Sequence, residues 1–289
     1  MSILSKEQSE RLLRPSDIEK AVPWLLSTPV ALLYILFLGL PLAVLFGLSV
    51  PVSNPTSNYV AVFVNPSYRQ ALFLSLGISI LITAVSVTLG LFMAYFIGRR
   101  EFPGKRLIVA IISFPISLPG ILVAWAVIVL IGRTGIISQA LAAVTGNDPS
   151  AYSSAFGIVG LLLGYTYFTL PRTTMALVSS IENFDENLEE AARSLGASKL
   201  ETFRYVTLPT IAPGIGSAVV LAFSVCMAAF GTALLLASGE VNILPLKIYS
   251  VILGTYDYGA GSALAIVLTV ITVGVIYGYS QLFGGNIYE

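Results

Sequence analysis

Six long stretches of this chain are almost free of charged side chains, and this feature limits its fold more than any other. A helix needs about 20 apolar residues to cross the hydrocarbon core of a bilayer. Charged residues make up only 10% of the 289 residues, against about 25% in soluble domains. We therefore predict an all-α, polytopic membrane protein with six transmembrane helices, at about residues 22–49, 71–98, 107–131, 157–179, 210–237 and 262–283.

The basic residues are unevenly distributed over the segments outside these stretches. Counted from the N-terminus, successive segments carry four, one, four, one, four and one Lys or Arg, which together account for all 15. Arg172, near the end of the fourth stretch, belongs to the third group of four. Cytoplasmic segments carry the excess of positive charge. We therefore expect the N-terminal segment 1–21, the loop 181–209 and the tail 284–289 to be cytoplasmic.

The loop 181–209 is the only long polar stretch between predicted spans, and its first half has the pattern of a short amphipathic helix. Asn183 is a candidate N-cap, with Glu186 three residues later. Gly196 is placed to end the helix, because glycine adopts a left-handed cap at the least cost. One apolar face is predicted from the i, i+3, i+4 and i+7 spacing of Leu188, Ala191, Ala192 and Leu195.

A second short helix is predicted directly after Gly196. Ser198 and Glu201 have the spacing of a capping box. Pro209 marks the expected entry to the fifth span. Local chemistry alone thus predicts two short amphipathic helices joined by a glycine elbow on the cytoplasmic face. Such a hairpin could be a surface feature or a docking element for a partner.

Four elements of this loop together resemble a known motif. Glu190-Ala191-Ala192, Gly196 and Val206-Thr207-Leu208-Pro209 are similar to the EAA loop of bacterial ATP-binding-cassette (ABC) importer permeases. That pattern is Glu-Ala-Ala, three residues, Gly, nine residues and Ile-x-Leu-Pro, and every spacing matches; Val206 stands where Ile is usual. The resemblance extends from about residue 59 to the C-terminus and implies a type I importer permease-like bundle in the bacterial inner membrane.

The resemblance also implies partners and residue roles. In this family the helix before the glycine docks on an ATPase, and ATP-driven closure switches a permease pair between inward and outward states. The implied partners are two ATP-binding-cassette ATPase subunits, a second permease subunit, a soluble or lipid-anchored substrate-binding protein and the lipid bilayer. The implied coupling residues are Glu190, Ala191, Ala192, Gly196, Leu208 and Pro209.

The sequence offers no site for chemistry of its own. A P-loop needs Gly, four residues and then Gly-Lys-Ser/Thr, whereas Gly98 is followed by five residues and Gly104-Lys105-Arg106. The chain has no histidine and one cysteine, Cys226. We expect a transport subunit that is not an enzyme, with no catalytic residues, no metal, no cofactor and no nucleic-acid partner.

A translocation pathway through these spans would have to be lined by hydroxyls, backbone and apolar groups. In span two the spacings of three and four place several hydroxyls on one face. Such groups also serve as hydrogen bonds between membrane helices. The pathway-lining candidates are Ser75, Ser79, Thr83, Ser86, Ser113, Ser117, Ser224 and Thr232.

A secondary transporter or channel driven by an ion gradient is the alternative function. Proton relays usually place Asp, Glu or His within the membrane. The predicted spans contain none of these residues, although a sodium site built from carbonyls and hydroxyls remains open. A membrane enzyme lacks any nucleophile–base pair or metal cluster.

The substrate is only weakly indicated by the sequence. The stretches Asn58-Tyr59 to Leu72 and Phe230-Gly231-Thr232 to Tyr249 are similar to permeases of the spermidine/putrescine, ferric-iron and aminoethylphosphonate branch. This resemblance implies a small solute such as a polyamine or phosphonate, with sugar and sulfate permeases remaining open.

Overall fold

The structure, a computed structural model, describes residues 27–283 apart from 238 and 240. The predicted cytoplasmic segments 1–21 and 284–289 lie outside the described residues. No strand occurs among the described residues. The helices are α1 Ser27–Ser49, α2 Ser57–Val64, α3 Pro66–Gly98, α4 Lys105–Ser113, α5 Gly120–Ile131, α6 Ile136–Thr145, α7 Ile158–Glu182, α8 Asn187–Ser194, α9 Lys199–Ala228, α10 Gly231–Leu236, α11 Leu244–Gly254 and α12 Tyr258–Phe283.

Five described segments are long and apolar enough to cross a membrane. They are Ser27–Ser49, Pro66–Gly98, Gly120–Thr145, Lys199–Ala228 and Tyr258–Leu282. These segments overlap the predicted first, second, third, fifth and sixth spans. A polytopic α-helical membrane protein is therefore confirmed, whereas the count of six crossings is not.

Helix α7 corresponds to the predicted fourth span, but it is too polar to be counted with the other five. Its hydroxyls Thr169, Thr173 and Thr174 are fully buried. Helix α7 packs most extensively against α3 and also packs along α9. A helix that is covered by protein on several sides needs less apolar surface than one surrounded by lipid, which explains the composition of α7.

The third span was predicted as one helix over 107–131, and the chain is instead divided there. Helix α4 ends at Ser113, a 3₁₀ turn covers Phe114–Ser117, and α5 begins only at Gly120. Leu118 and Pro119 between them are extended. Proline removes a helical N–H and disfavours helical backbone in the residue before it, so Pro115 and Pro119 together break the helix.

The fifth span was predicted at 210–237, and both of its ends differ in the structure. Helix α9 already begins at Lys199 and ends at Ala228, and the short α10 follows separately. Pro209 does not stop α9, because a π-helical turn over Phe203–Thr207 precedes it, with the N–H of Leu208 bonded to the carbonyl of Phe203. The wider turn changes the hydrogen-bond register just before a residue that has no N–H.

Helices α3, α7 and α9 pack against one another to form the centre of the molecule. One apolar cluster joins their ends beside the 183–207 loop through Ala94, Leu177 and Ile211, and a second joins their other halves through Ile82, Tyr165 and Cys226. Helix α12 packs on α1, α9 and α11, while α5 and α10 pack together beside α7. This core places the 183–207 loop at one end of the bundle.

Candidate coupling site and interior hydroxyls

Helix α8 begins three residues later than the sequence predicted, with Glu186 and not Asn183 at its N-cap position. Asn183 is not its N-cap, because α7 continues to Glu182 and takes Asn183 as its own C-cap, with Nδ2 donating to the Ser179 carbonyl at 2.9 Å. The turn before α8 is instead held by Asp185, whose Oδ1 accepts from the N–H of Asn187 at 3.0 Å and from its Nδ2 at 2.8 Å. An aspartate in this position forms a compact Asx turn.

The glycine elbow is confirmed. Gly196 has φ +94°, and the chain closes α8 with hydrogen bonds from Gly196 N–H to Arg193 and from Ala197 N–H to Ala192. The bond from Ala197 to Ala192, which closes a turn of six residues, is the one that defines a Schellman cap. A Cβ at Gly196 would meet nothing within 4 Å, so the backbone conformation, and not lack of space, requires glycine here.

The capping box of Ser198 and Glu201 is also confirmed, although the helix that it starts is longer than expected. The N–H of Glu201 donates to Ser198 Oγ at 3.3 Å, and the N–H of Ser198 donates to Glu201 Oε2 at 2.8 Å. The predicted second short helix is the first turn of α9. Phe203 packs edge-on against Tyr95 with ring centroids 5.9 Å apart, while Leu200 is exposed.

Large apolar side chains of this loop lie open at the end of the bundle. Leu188 is 45% exposed, Leu195 90% and Leu200 75%, and these three are called the outer leucines below. Glu190 and Ala191 are exposed beside them and Ala192 is half-buried. Glu190 makes no ion pair with any residue that the structure describes. Of the remaining motif residues, Leu208 is half-buried and Pro209 exposed.

The opposite side of α8 carries a buried carboxylate that sequence reasoning missed. Glu189 is 7% exposed and accepts hydrogen bonds from Arg99 at 2.8 Å, Thr207 at 2.5 Å and Arg193 at 3.1 Å. Arg99 also binds Glu186 at 2.8 Å. These five residues are called the Glu189 network. In the sequence, Arg99 is one of the four basic residues of its segment, and the signal that could have found it is the pair of acids Glu186 and Glu189.

A second ion-pair cluster lies at the same end of the molecule. Lys105, at the start of α4, lies 2.8 Å from Glu101 and 3.6 Å from Glu182 at the end of α7. The hydrogen bond to Glu101 raises the pKa of Lys105. Through Lys105 and Glu182 the cluster links α4 to α7.

The four hydroxyl candidates of span two are buried inside the subunit. Ser75 Oγ accepts from the N–H of Leu244 at 2.6 Å and so holds the first turn of α11. Ser79, Thr83 and Ser86 are at most 6% exposed. The hydroxyls of Thr83, Ser86 and Ser224 are buried without a hydrogen-bond partner among the described residues.

The remaining candidates lie near the break in the third span. Thr232 is buried and donates to the carbonyl of Gly120 at 2.9 Å. Ser117 is exposed and bonds within its own turn, and Ser113 is half-buried. Arg172 donates to the carbonyl of Ile116 at 2.9 Å, which satisfies backbone freed by the break. The structure thus buries the span-two hydroxyls, Thr232 and the Ser224 hydroxyl but not Ser113 and Ser117; that any of these candidates lines a pathway stays a prediction.

Comparison with known proteins agrees with this architecture. Residues 86–283 match the family "Binding-protein-dependent transport system inner membrane component". The molybdenum transport system permease protein ModB of Escherichia coli (strain K12) is 34% identical over 186 residues, covering 63% of this chain and 79% of that protein. The thiamine transport system permease protein ThiP of the same organism is 26% identical over 223 residues, covering 77% of this chain and 41% of that protein.

A solved structure has the same fold. The match is to a chain of the bacterial alginate ABC transporter, crystallised in complex with an alginate pentasaccharide-bound periplasmic protein. The TM-score is 0.75 with 17% identity, over 92% of this chain and 96% of that chain. Together with the helix bundle and the capped 183–207 loop, this defines an ABC importer permease fold.

The chain belongs to the family of binding-protein-dependent transport system inner membrane components. It is an ABC importer permease subunit, an integral multi-pass inner-membrane protein of a class that works with a substrate-binding protein and ATPase subunits. The predicted spermidine/putrescine, ferric-iron and aminoethylphosphonate branch is not supported, because the relatives named above transport molybdenum and thiamine.

Proposed function

We propose that this subunit docks on a partner ATPase through the outer leucines and the adjoining Glu190, Ala191 and Ala192. The observation that carries this proposal is the 90% exposure of Leu195, the C-cap residue of α8, between the Asp185 turn that precedes this helix and the Gly196 cap that ends it. Apolar side chains at a polar, non-lipid end of a membrane protein are typical of a protein interface.

The chemistry of α8 supports close docking. Ala191 and Ala192 are small, which lets a partner surface approach the helix backbone. Glu190 is exposed and unpaired among the described residues, so it is free to bind a basic or amide group. Gly196 fixes the direction in which the chain leaves the helix. Leu208 and Pro209 follow the π-helical turn within α9, which connects this surface to the rest of that long helix.

We further propose that the chain forms half of a translocation pathway. It would cross the membrane six times, with α7 as the fourth crossing and both termini in the cytoplasm. A second permease and two ATPases would complete the importer. In this account ATP is hydrolysed by the partner, and the chain itself is not an enzyme. The unpartnered hydroxyls of Thr83, Ser86 and Ser224 are the interior groups most available to line a pathway when the helices separate.

The solute remains to be assigned, and we propose molybdate as the first to be tested. The molybdenum permease named above is more similar to this chain than the thiamine permease and is covered over more of its length. The polyamine or phosphonate solute that the sequence suggested is unconfirmed. Uptake of molybdate, thiamine and spermidine by cells that express the chain with its neighbouring genes distinguishes the three.

The test of docking is co-purification of the neighbouring ATPase with the tagged permease. Leu195→Glu places a charge among the outer leucines and is expected to abolish co-purification. Val144→Glu is the matched control, because Val144 is 86% exposed at the end of α6. Loss of the ATPase in Leu195→Glu alone supports the proposal, and retention of the ATPase in both variants refutes it.

A further inference from the structure

The docking helix α8 has a second face, which points into the protein and holds Glu189. This carboxylate precedes Glu190 in the sequence, yet Glu189 is buried and Glu190 exposed. A buried carboxylate is tolerated only when charged partners and hydrogen bonds replace its water. The donors around Glu189 therefore show what α8 is attached to.

The donors come from three different elements. Arg99 is the C-cap residue of α3, Thr207 is the last residue of the π-helical turn in α9, and Arg193 lies one turn along α8 itself. Arg99 and Thr207 share the same carboxylate oxygen, Oε1, while Arg193 takes Oε2. One side chain of α8 thus joins the ends of two long central helices.

Arg99 is more firmly held than the arginine of a surface ion pair. Its side chain is only 11% exposed, and the guanidinium lies 4.6 Å from the ring centroid of Phe184 and 5.8 Å from that of Tyr95. Tyr95 in turn packs edge-on against Phe203 of the π-helical turn. Surface ion pairs contribute little because both side chains move freely, and this pair has lost that freedom.

We propose that Arg99, Glu189 and Thr207 are positioning residues that form a coupling joint, which transmits displacement of α8 to α3 and α9. The proposal rests on the proposed docking of α8 but assigns a role to residues outside the docking face. Because α3 and α9 pack along each other and along α7, a movement of their ends is passed to the interior of the bundle. Without the joint, a partner could push α8 without moving the core.

A purely structural role makes a different prediction. If Arg99, Glu189 and Thr207 only stabilised the fold, loss of their contacts would reduce the amount of assembled protein without changing how each assembled complex behaves. If these three residues form a coupling joint, each assembled complex would still bind the ATPase and hydrolyse ATP, but the helix core would no longer respond. The two cases are separated by measurements made per assembled complex.

The sharpest variant is Thr207→Val, which has nearly the same shape, leaves both charges in place and removes one donor from Glu189. Thr207→Ser keeps the hydroxyl and is the rescue variant. Thr210→Val is the matched control, because the exposed Thr210 hydroxyl bonds only to the Val206 carbonyl of its own helix, at 2.7 Å. A second pair of variants changes the two acidic partners of Arg99. Glu189→Gln alters the buried partner and is the test, and Glu186→Gln alters the exposed partner and is the control.

The readout is an environment-sensitive dye on a cysteine at Gln70 in a Cys226→Ala background. Gln70 is exposed near the far end of α3, 29 residues and about 43 Å along the helix from Arg99. The permease is co-purified with its ATPase and reconstituted, and MgATP with vanadate is the probe, so no transported solute is needed. Hydrolysis of ATP per complex is measured on the same sample.

In wild type, Thr207→Ser, Thr210→Val and Glu186→Gln, MgATP with vanadate is expected to change the dye fluorescence. In Thr207→Val and Glu189→Gln this change should be lost while the ATPase stays bound and hydrolysis continues. If Thr207→Val shows a fluorescence change as large as that of wild type, whether or not less complex is recovered, the coupling joint is overturned. Absence of bound ATPase in the wild type would instead refute the docking proposal, so the two failures are distinguishable.

Discussion

Ser75 in α3 accepts a hydrogen bond from the backbone N–H of Leu244, 169 residues further along the chain, at 2.6 Å. Both residues are buried, at 4% and 0% exposure. Ser75→Ala would leave a buried N–H without a partner, which costs about 1–3 kcal/mol. We expect a lower unfolding midpoint in detergent. Unfolding is monitored by the reaction of a thiol-reactive dye with the single buried cysteine, Cys226.

Ser117→Ala is the control for this prediction, because the exposed Ser117 bonds only to the carbonyl of Phe114 within its own turn. It should unfold at the wild-type temperature. An equal midpoint for Ser75→Ala and wild type would show that Ser75 does not hold α11, and would return it to the candidates for a pathway-lining role.

The contact between α5 and α10 gives a second prediction. A Cβ on Gly120 would lie 2.6 Å from Thr232 Oγ1, whereas a Cβ on Gly231 would meet its nearest neighbour at 3.4 Å. Gly120→Ala should therefore destabilise the protein by about 1–3 kcal/mol through overpacking. Gly231→Ala should be close to neutral, and the same dye-based melt compares them. Equal midpoints for the two variants would contradict the close approach of these helices.

The third prediction concerns the glycine elbow of the 183–207 loop. Proline cannot adopt the φ of +94° found at Gly196, so Gly196→Pro should misdirect the chain between α8 and α9 and abolish uptake. Membrane insertion should be unaffected, as judged by the amount of protein in washed membranes. The control is Gly146→Pro, which imposes a similar backbone conflict, at φ +74°, outside this loop at the end of α6. If Gly196→Pro transports as well as wild type, the elbow is not part of the coupling path.

Orientation is the fourth prediction. The distribution of basic residues places the loop around Ser198 inside the cell and the α6 end around Asn147 outside. Single cysteines at these exposed positions, in a Cys226→Ala background, are offered an impermeant thiol reagent on intact cells. Asn147→Cys should react and Ser198→Cys should not until the cells are opened. The reverse pattern would overturn the orientation.

Local chemistry determined which parts of this fold could be predicted. The left-handed cap at Gly196 and the capping box of Ser198 depend on a few neighbouring residues, and both are confirmed. Asn183 failed as an N-cap because the preceding helix extended far enough to use it as a C-cap. A polar side chain between two helices can cap the end of the first or the start of the second. The outcome depends on the length of the first helix, which local spacing does not fix.

The proline positions show a similar division. The third span was predicted as one helix, and Pro115 and Pro119 break it. Pro209 was expected to begin the fifth span, but the π-helical turn before it lets one helix continue from Lys199. The π-helical turn is packed on α3 through the contact of Phe203 with Tyr95, a long-range contact that local spacing does not reveal.

The candidate site was predictable on its outer face and not on its inner one. The motif around Glu190 is contiguous in sequence, so its spacing could be recognised. The Glu189 network joins Arg99 to residues 87 and 90 positions away. Such a contact follows from the packing of α3 against α7 and α9, for which a single sequence carries no direct signal.

The measurement that tests the central claim most directly is site-specific photo-crosslinking in cells. A photoreactive amino acid replaces Leu195, the most exposed of the outer leucines, or Val144 as the control, and the neighbouring ATPase is co-expressed with each variant. Our account predicts a crosslinked permease–ATPase product from position 195 and none from position 144. A variant at position 195 that is inserted and supports uptake, yet forms no product with the ATPase, would contradict the account.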